Sequence, residues 1–313
     1  MDKKNQQKIN FIFKILGIIV FLLILKKIDF NNLKTQFKNI NYIKIIYGIV
    51  FLFLYHILKS YRWKLLLSFQ NIKIKLFNCY CMYIKGLYLG LVTPGRIGDF
   101  VKIIYLKNRN VDVIKSSVNV IIDRIIDMVF MLFFSSIVLI YFFLTIKLSL
   151  KISLLILFFY TVIFFIFIIK IFPFLFKKII FKLPLDKIKK GLKTKSNEFI
   201  NEFSKIKKKQ WLILSISTPF IWFFYFTVIY FFIIAVNPKF SYFNTLFSFL
   251  ISTLITFLPI SFMGIGWREI VLYNIFPKIG ASQTDVIIFS FSMMLGYLLV
   301  AIIGLGISLF YND

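Results

Sequence analysis

Residues 79–99 read CYCMYIKGLYLGLVTPGRIGD. An apolar run of almost bilayer-spanning length carries Gly86 and Gly90 in a G-x-x-x-G pattern. It then breaks at Thr93-Pro94-Gly95, with Arg96, Gly98 and Asp99 directly behind. Proline ends a helix because its ring removes a donor and clashes with the preceding turn. At membrane depth, broken backbone persists only where other protein or a wet cavity satisfies its N–H and C=O groups. A second stretch repeats the type: 244–263 runs into Pro259 and continues through Ser261, Gly264 and Gly266 to Trp267-Arg268-Glu269. Both breaks place proline, glycine, then arginine beside a carboxylate.

The rest of the chain supplies the setting. With 60% hydrophobic residues, 16% charged and 42 phenylalanines in 313 residues, and a mean hydropathy of +0.87, the apolar surface exceeds what one soluble core can hide. The composition predicts an all-α polytopic membrane protein. A bilayer core about 30 Å thick needs about 20 mainly apolar residues per spanning helix. The windows 9–25, 42–58, 118–144, 152–176, 211–235 and 286–310 predict six spans, with 79–98 and 244–263 as two exceptions. The first window resembles a signal peptide, since Lys3, Lys4 and Lys8 precede it. Lys26-Lys27-Ile28-Asp29 follow without a small-residue cleavage site, so a retained helix is expected.

Lysine and arginine counts orient these spans. The stretch 177–209 holds twelve lysines against Asp186, Glu198 and Glu202, which predicts a cytoplasmic linker. Residues 59–78, with Lys59, Arg62, Lys64, Lys73 and Lys75, and 100–117, with Lys102, Lys107, Arg109 and Lys115, then read as cytoplasmic loops too. Both flanks of 79–98 lie on one side, which makes that segment re-entrant. The same count makes 244–263 re-entrant from the outside and both termini cytoplasmic, in a multi-pass protein of the cell membrane. The expectation is a single integral membrane domain, 1–313, of two halves (1–176 and 210–313) arranged as an inverted repeat, as in many secondary transporters. Phe30, Leu33, Phe37 and Ile40 recur at helical spacing, predicting an interfacial amphipathic helix over 26–41. A net charge of +27 then faces anionic lipid rather than nucleic acid.

Arginine is scarce: of 39 basic residues, five are arginine, at 62, 96, 109, 124 and 268. Arg96 stands near Asp99, Arg124 between Asp123 and Asp127, and Arg268 against Glu269. A planar, always-charged fork grips a carboxylate or phosphate at two points, which lysine does not. Asp123 and Asp127 are four apart on one helical face, with Arg124 turned roughly 100° away from Asp123. Two readings follow. The carboxylates pin the bundle by pairing with Arg96 or Arg268, or they work on a substrate. Arg62 and Trp63, at the cytoplasmic end of a span, read as interfacial anchors, with Arg62 also placed to meet phosphates. Gly86, Gly90, Gly304 and Gly306 read as close-packing positions. His56 is the only histidine and lies in an apolar helix, and Cys79 and Cys81 are too close for an ordinary disulfide. No phosphate-binding G-x-x-x-x-G-K-[ST] loop is present, so ATP is not expected as the direct energy source, and no cofactor or metal is expected.

Four motifs, Tyr61-Arg62-Trp63, Thr93-Pro94-Gly95-Arg96-Ile97-Gly98-Asp99, Asp123-Arg124-Ile125-Ile126-Asp127 and Pro259-Ile260-Ser261 through Gly264-Ile265-Gly266-Trp267-Arg268-Glu269, resemble in order those of the lysylphosphatidylglycerol synthase transmembrane region, or flippase-like domain family. Two positions depart from that pattern: Asp99 where glutamate is more usual, and Lys102 where arginine is. The resemblance implies a membrane region that moves aminoacylated lipid across the bilayer, while a separate soluble domain makes that lipid; no such domain is expected in this sequence. It implies a lipid translocator of phospholipid or aminoacylated lipid rather than an enzyme. The alternatives are an enzyme or subunit of lipid modification, by lysyl or lipid-linked glycosyl transfer, and a structural subunit. The expected substrate-binding set is Arg62, Pro94, Arg96, Gly98, Asp99, Asp123, Arg124, Asp127, Pro259, Ser261, Gly264, Gly266, Arg268 and Glu269. The arginines would hold a phosphate or other anionic headgroup, and the carboxylates would balance them or receive a cationic substituent. Expected partners are membrane lipids with anionic or aminoacylated headgroups, a separate soluble lipid-modifying enzyme and a second copy of the chain.

Overall fold

A computed structural model describes residues 40–92, 98–145, 198–256, 267–279 and 282–309, and among these the fold is all-α. The helices are α1 (Tyr42–Phe69), α2 (Leu76–Val92), α3 (Val101–Asn108), α4 (Val113–Thr145), α5 (Lys208–Val236), α6 (Tyr242–Thr256), α7 (Trp267–Ile275) and α8 (Gln283–Leu309). A 3-10 turn, Phe276–Ile279, follows α7. Three of the described helices, α1, α5 and the Thr284–Ile307 part of α8, are long and apolar enough to cross a membrane. The expected spans at 9–25 and 152–176, the amphipathic stretch before Ile40 and the 177–197 part of the linker lie outside the described residues.

Helix α1 corrects the expected loop at 59–78. It starts at Asn41, whose side chain accepts a hydrogen bond from the Lys44 amide. It then runs past residue 58 through Lys59 and Arg62 to Phe69. A hydropathy window ends at such charges, but a helix ends only when its backbone partners do. The stop comes at Asn71, in the left-handed region at φ 61°. There the Asn71 and Ile72 amides donate to the Ser68 and Leu67 carbonyls. Asn110, at φ 59°, closes α3 the same way, with Asn110 and Val111 donating to Lys107 and Leu106. Asparagine is the usual second choice after glycine for this cap.

Helices α2 and α3 form a tight antiparallel hairpin across the expected break. Gly98, after the undescribed residues 93–97, explains how tight: a Cβ there would lie inside the van der Waals envelope of the Leu89 carbonyl carbon and the Gly90 nitrogen. Further along the pair, Gly86 and Gly90 leave room for Asp99 and Lys102, and the Lys85 ammonium lies 4.9 Å from the Tyr105 ring centroid. Gly304 of α8 fits against Ile84 of α2. Gly306, expected to pack closely, instead faces open space, with nothing within 4 Å of a Cβ built there.

The two parts of the chain share a plan. Each runs long helix, two-helix hairpin, long helix: 28, 17, 8 and 33 residues, then 29, 15, 9 and 27. Their packing also corresponds, since α2 lies on α8 as α6 lies on α4, and α3 lies on α4 as α7 lies on α8. Helices α1 and α5 are antiparallel and form the spine. The Asn41 amide donates to the Ala235 carbonyl at 3.0 Å at one end, Tyr55 and Tyr225 pack as tilted rings at 4.9 Å midway, and Arg62 meets Thr218 at the other. Phe232 fills the space between Gly48 and Gly296, in a core made largely of Phe, Tyr, Ile and Val.

Gly98→Ala should therefore cost at least the roughly 1–3 kcal/mol typical of overpacking, because the obstruction is backbone and cannot rotate away. Thermal unfolding in detergent checks this, with Gly306→Ala as the control expected to melt like the parent.

Candidate functional site

The buried positions of α1 recur at Leu52, Tyr55, His56, Lys59, Arg62, Trp63 and Leu66, one face of a 3.6-residue helix. Lys59 and Arg62 are thus in phase with the apolar stripe and point into the bundle. Opposite them, Asp123 and Asp127 stand one turn apart on α4. The Arg62 fork bridges the two carboxylates. Nη2 donates to Asp123 Oδ1 at 2.6 Å and to the Asp123 carbonyl at 3.2 Å, while Nη1 lies 2.9 Å from Asp127 Oδ1 and donates to Thr218 Oγ1 at 2.9 Å. Lys59 pairs with the second oxygen of Asp127. Trp222 Nε1 donates to Asp127 Oδ1 at 3.1 Å. From α3, Lys102 Nζ lies 3.6 Å from Asp123 Oδ2. It also stands 5.0 Å and 4.4 Å from the Trp63 and Tyr83 ring centroids, close enough for cation–π attraction. Arg124 pairs with Asp99 at the start of the same hairpin arm.

Four of these charges are out of water: Arg62 and Lys102 are 1% exposed, Asp123 2% and Lys59 3%, while Asp127 and Arg124 are partly exposed. Burying ions costs several kcal/mol each and is offset only where partners fill the remaining donors and acceptors. Here the filling is incomplete. Among the described residues, Lys59, Arg62, Lys102 and Arg124 face Asp99, Asp123 and Asp127, four cations against three carboxylates. Arg62 Nε and Trp63 Nε1 are buried N–H donors with no hydrogen-bond acceptor among the described residues. Surplus positive charge and unfilled donors are what an anionic, oxygen-rich ligand satisfies.

A second centre stands at the start of α7, where Arg268 Nε and Nη2 both donate to Glu269 Oε1, at 3.0 and 2.6 Å. Glu269 is 1% exposed. Tyr225 and Tyr297 lie within electrostatic range of Arg268. Between the two centres runs an aromatic layer. Tyr55 packs on Trp222 and Tyr225 at 6.4 and 4.9 Å, and His56 packs on Tyr55, Tyr83 and Tyr297 at 5.0, 6.2 and 6.2 Å.

The structure brings Arg62, Asp123 and Asp127 into one cluster and sets Asp99 with Arg124 beside it. Arg268 with Glu269 forms a separate pair, and Gly98 serves the hairpin. Pro94, Arg96, Pro259, Ser261, Gly264 and Gly266 lie outside the described residues. Two expectations are corrected. Arg62 and Trp63 are not interfacial anchors but are buried at 1% and 0% exposure. The described partner of Asp123 and Asp127 is Arg62, with Lys59 and Lys102, rather than Arg268. Sequence reasoning missed Lys59, Lys102, Thr218 and Trp222 as members of the cluster. The helical phase of Lys59 and Arg62 with the apolar stripe was the available signal. Among the described residues no group of three His, Cys, Asp or Glu side chains is placed to hold a metal, and Cys79 and Cys81 are buried.

The family model of the lysylphosphatidylglycerol synthase TM region matches residues 11–304, and the chain belongs to that family. No curated protein and no solved structure matches it.

Arg62→Lys keeps the charge but loses the simultaneous grip on Asp123, Asp127 and Thr218. It should destabilise the protein by about 1–3 kcal/mol, the usual cost of leaving a buried hydrogen-bonding group unsatisfied. Arg109→Lys, in a partly exposed helix cap, should stay within about 0.5 kcal/mol of the parent. Denaturant unfolding followed by tryptophan emission compares the two.

Proposed function

We propose that this member of the lysylphosphatidylglycerol synthase transmembrane family is a lipid translocator that passes an anionic or aminoacylated phospholipid headgroup between leaflets. The observation that carries this reading is the largely buried cluster, among the described residues, of four cations against three carboxylates, in which Arg62 Nε and Trp63 Nε1 find no acceptor. A phosphodiester supplies one negative charge and several acceptor oxygens, which matches that deficit. The Arg62 fork suits it better than an ammonium does. A cationic aminoacyl substituent would find its counter-charge at Asp99 or Glu269. Arg268, behind its own glycine-rich break, would serve as the second phosphate contact, and Pro94, Arg96, Pro259, Ser261, Gly264 and Gly266 would shape the two breaks.

The shared plan of the two parts, with α1 antiparallel to α5, supports an inverted repeat in which α2–α3 and α6–α7 are re-entrant hairpins entering from opposite sides. Residues 71–74, 109–112 and Lys115 line one cleft, which supports an α2–α3 arm that enters and leaves on the same side. The lysines of 177–209 favour that side being cytoplasmic. Rocking of one repeat against the other would open the cluster to each leaflet in turn. A soluble lipid-modifying enzyme would supply the aminoacylated substrate, and a homo-oligomer is compatible with the wide apolar faces of α1 and α8.

Reconstitution tests the class. Liposomes carrying the protein and a headgroup-labelled phosphatidylglycerol should show transfer between leaflets with the lipid's mass unchanged; a changed mass would assign an enzyme instead. Arg124→Lys and Arg268→Lys should slow transfer by about tenfold, equivalent to about 1.4 kcal/mol of lost contact. Arg109→Lys should run like the parent at matched protein level.

Orientation is tested separately. In a protein with Cys79 and Cys81 replaced by alanine, single cysteines at Asn71 and Asn110 should both be shielded from an impermeant thiol reagent in intact cells. Labelling of one and not the other would exclude the re-entrant arm.

A further inference from the structure

The chain has 42 phenylalanines and 16 tyrosines, yet the three rings that meet its only histidine are Tyr55, Tyr83 and Tyr297, with Tyr225 behind Tyr55 and Phe226 and Phe249 packed on Tyr225 in turn. His56 is 2% exposed. A layer needed only for packing is served by phenylalanine, which carries no hydroxyl to satisfy. The layer touches the Arg62 cluster and lies near Arg268. Tyr83 lies within electrostatic range of Asp123, Asp127 and Arg124, and Trp222, which packs tilted on Tyr55 and edge-on against Tyr225, donates to Asp127. At the other side Tyr225 and Tyr297 lie within range of Arg268. His56 joins the two sides, meeting Tyr83 of α2 and Tyr297 of α8.

We propose that this tyrosine–histidine layer is where the phosphate of the lipid headgroup crosses between the Arg62 cluster and Arg268, with His56 as a positioning residue that takes up a proton as the phosphate passes. The inference rests on the translocator reading above. An unaccompanied anion leaving one arginine for another through apolar protein is strongly opposed. Hydroxyl donors and an imidazole that becomes cationic lower that barrier at its middle, because an opposite charge close by favours the protonated ring. The proton comes from water and is released to water when the phosphate reaches the next arginine, so protons balance over a cycle. The charged and titratable groups around His56 are Lys59 and Tyr55 on α1, Tyr83 on α2 and Tyr297 on α8. Beyond those rings stand Arg62 of α1, Lys102 of α3, Asp123, Arg124 and Asp127 of α4, Tyr225 of α5, and Arg268 and Glu269 of α7. No other histidine exists to confuse the assignment.

The experiment measures transfer of labelled phosphatidylglycerol in liposomes at equal pH on both sides, from about pH 8 to about pH 5, the range in which imidazole ordinarily titrates. The parent should speed up by about tenfold per pH unit above the ring's midpoint. His56→Gln should be about tenfold slower than the parent at the acid end and flat with pH. His56→Lys, permanently cationic over this range, should also be flat but faster than His56→Gln. Should these variants fail to fold, the parent suffices, because its single isotope-labelled imidazole gives one magnetic resonance signal. That signal should move toward the protonated form when dihexanoyl phosphatidylglycerol is added, and stay put with inorganic phosphate if the lipid tails are needed to reach the layer; movement with both would assign the site to phosphate as such, still supporting the crossing. Transfer by the parent that is flat with pH, with an imidazole signal indifferent to lipid, overturns the role of His56 and leaves translocation standing. No transfer by the parent at any pH overturns translocation and this inference with it.

Discussion

Arg62 is the constraint around which the described bundle is organised. One guanidinium, buried to 1% exposure, reaches Asp123 and Asp127 of α4 and Thr218 of α5 at once. Three helices from both parts of the chain thereby share a single side chain. Removing water from that fork commits the surroundings to supply what water gave it, since a buried charge left without partners is far more costly than any packing defect. The lengths follow from this. Helix α1 continues past its apolar window so that Arg62 arrives level with Asp123. Helix α3 returns beside α4 after only a short arm, which sets Lys102 against the free oxygen of Asp123.

Lysine and arginine divide the cluster by geometry. A fork spans two carboxylates on successive turns, so arginine occupies the centre. An ammonium is a point charge with one best partner, and Lys59 and Lys102 accordingly take the outer oxygens of Asp127 and Asp123. Lys102 stands where the family more often has arginine, and its stacking on Trp63 and Tyr83 shows how a shorter contact list is supplemented by aromatic faces. Scarcity of arginine drew the eye to Arg124 and Arg268, which the structure sets against Asp99 and Glu269. It undervalued Arg62, read chiefly as an interfacial anchor, and the two lysines, whose burial no composition count reveals.

Much of the class was legible in the sequence. Apolar run lengths located α5 and α8 to within a few residues, and the paired Gly/Pro breaks marked the ends of the α2 and α6 arms. The glycine at 98 carried a real constraint, because the α2–α3 contact there is backbone on backbone. The pairing of charges was not legible. Lys59 and Arg62 were assigned to a loop because a hydropathy window treats any charge as an end, whereas the carboxylates that let the helix continue lie some sixty positions later. Local periodicity held the correction: both residues fall on the same face as Leu52, Tyr55 and Leu66, so α1 reads as one amphipathic stripe whose polar members need partners. Which partners they find is a tertiary fact. The breaks around Pro94 and Pro259 lie outside the described residues, so Arg96 and the glycines at 264 and 266 stand as expectations.

The two parts share a plan but not a charge. The first gathers an excess of one cation around Asp123 and Asp127, while in the second Arg268 is matched within one residue by Glu269. In the proposed translocator this asymmetry sets the energetics of a cycle. A carrier whose two stations held phosphate equally would shift no equilibrium between its conformations, since a ligand acts only through its differential affinity. With Arg62 surrounded by surplus charge, the phosphate is held there more tightly than at Arg268, where it must first displace Glu269 from the guanidinium. The Arg62 cluster is then the resting station and the Arg268 pair the transient one. Movement toward Arg268 is then uphill, and it must also cross the layer between the two stations; His56 lies where lowering that barrier would speed the step while leaving its equilibrium unchanged.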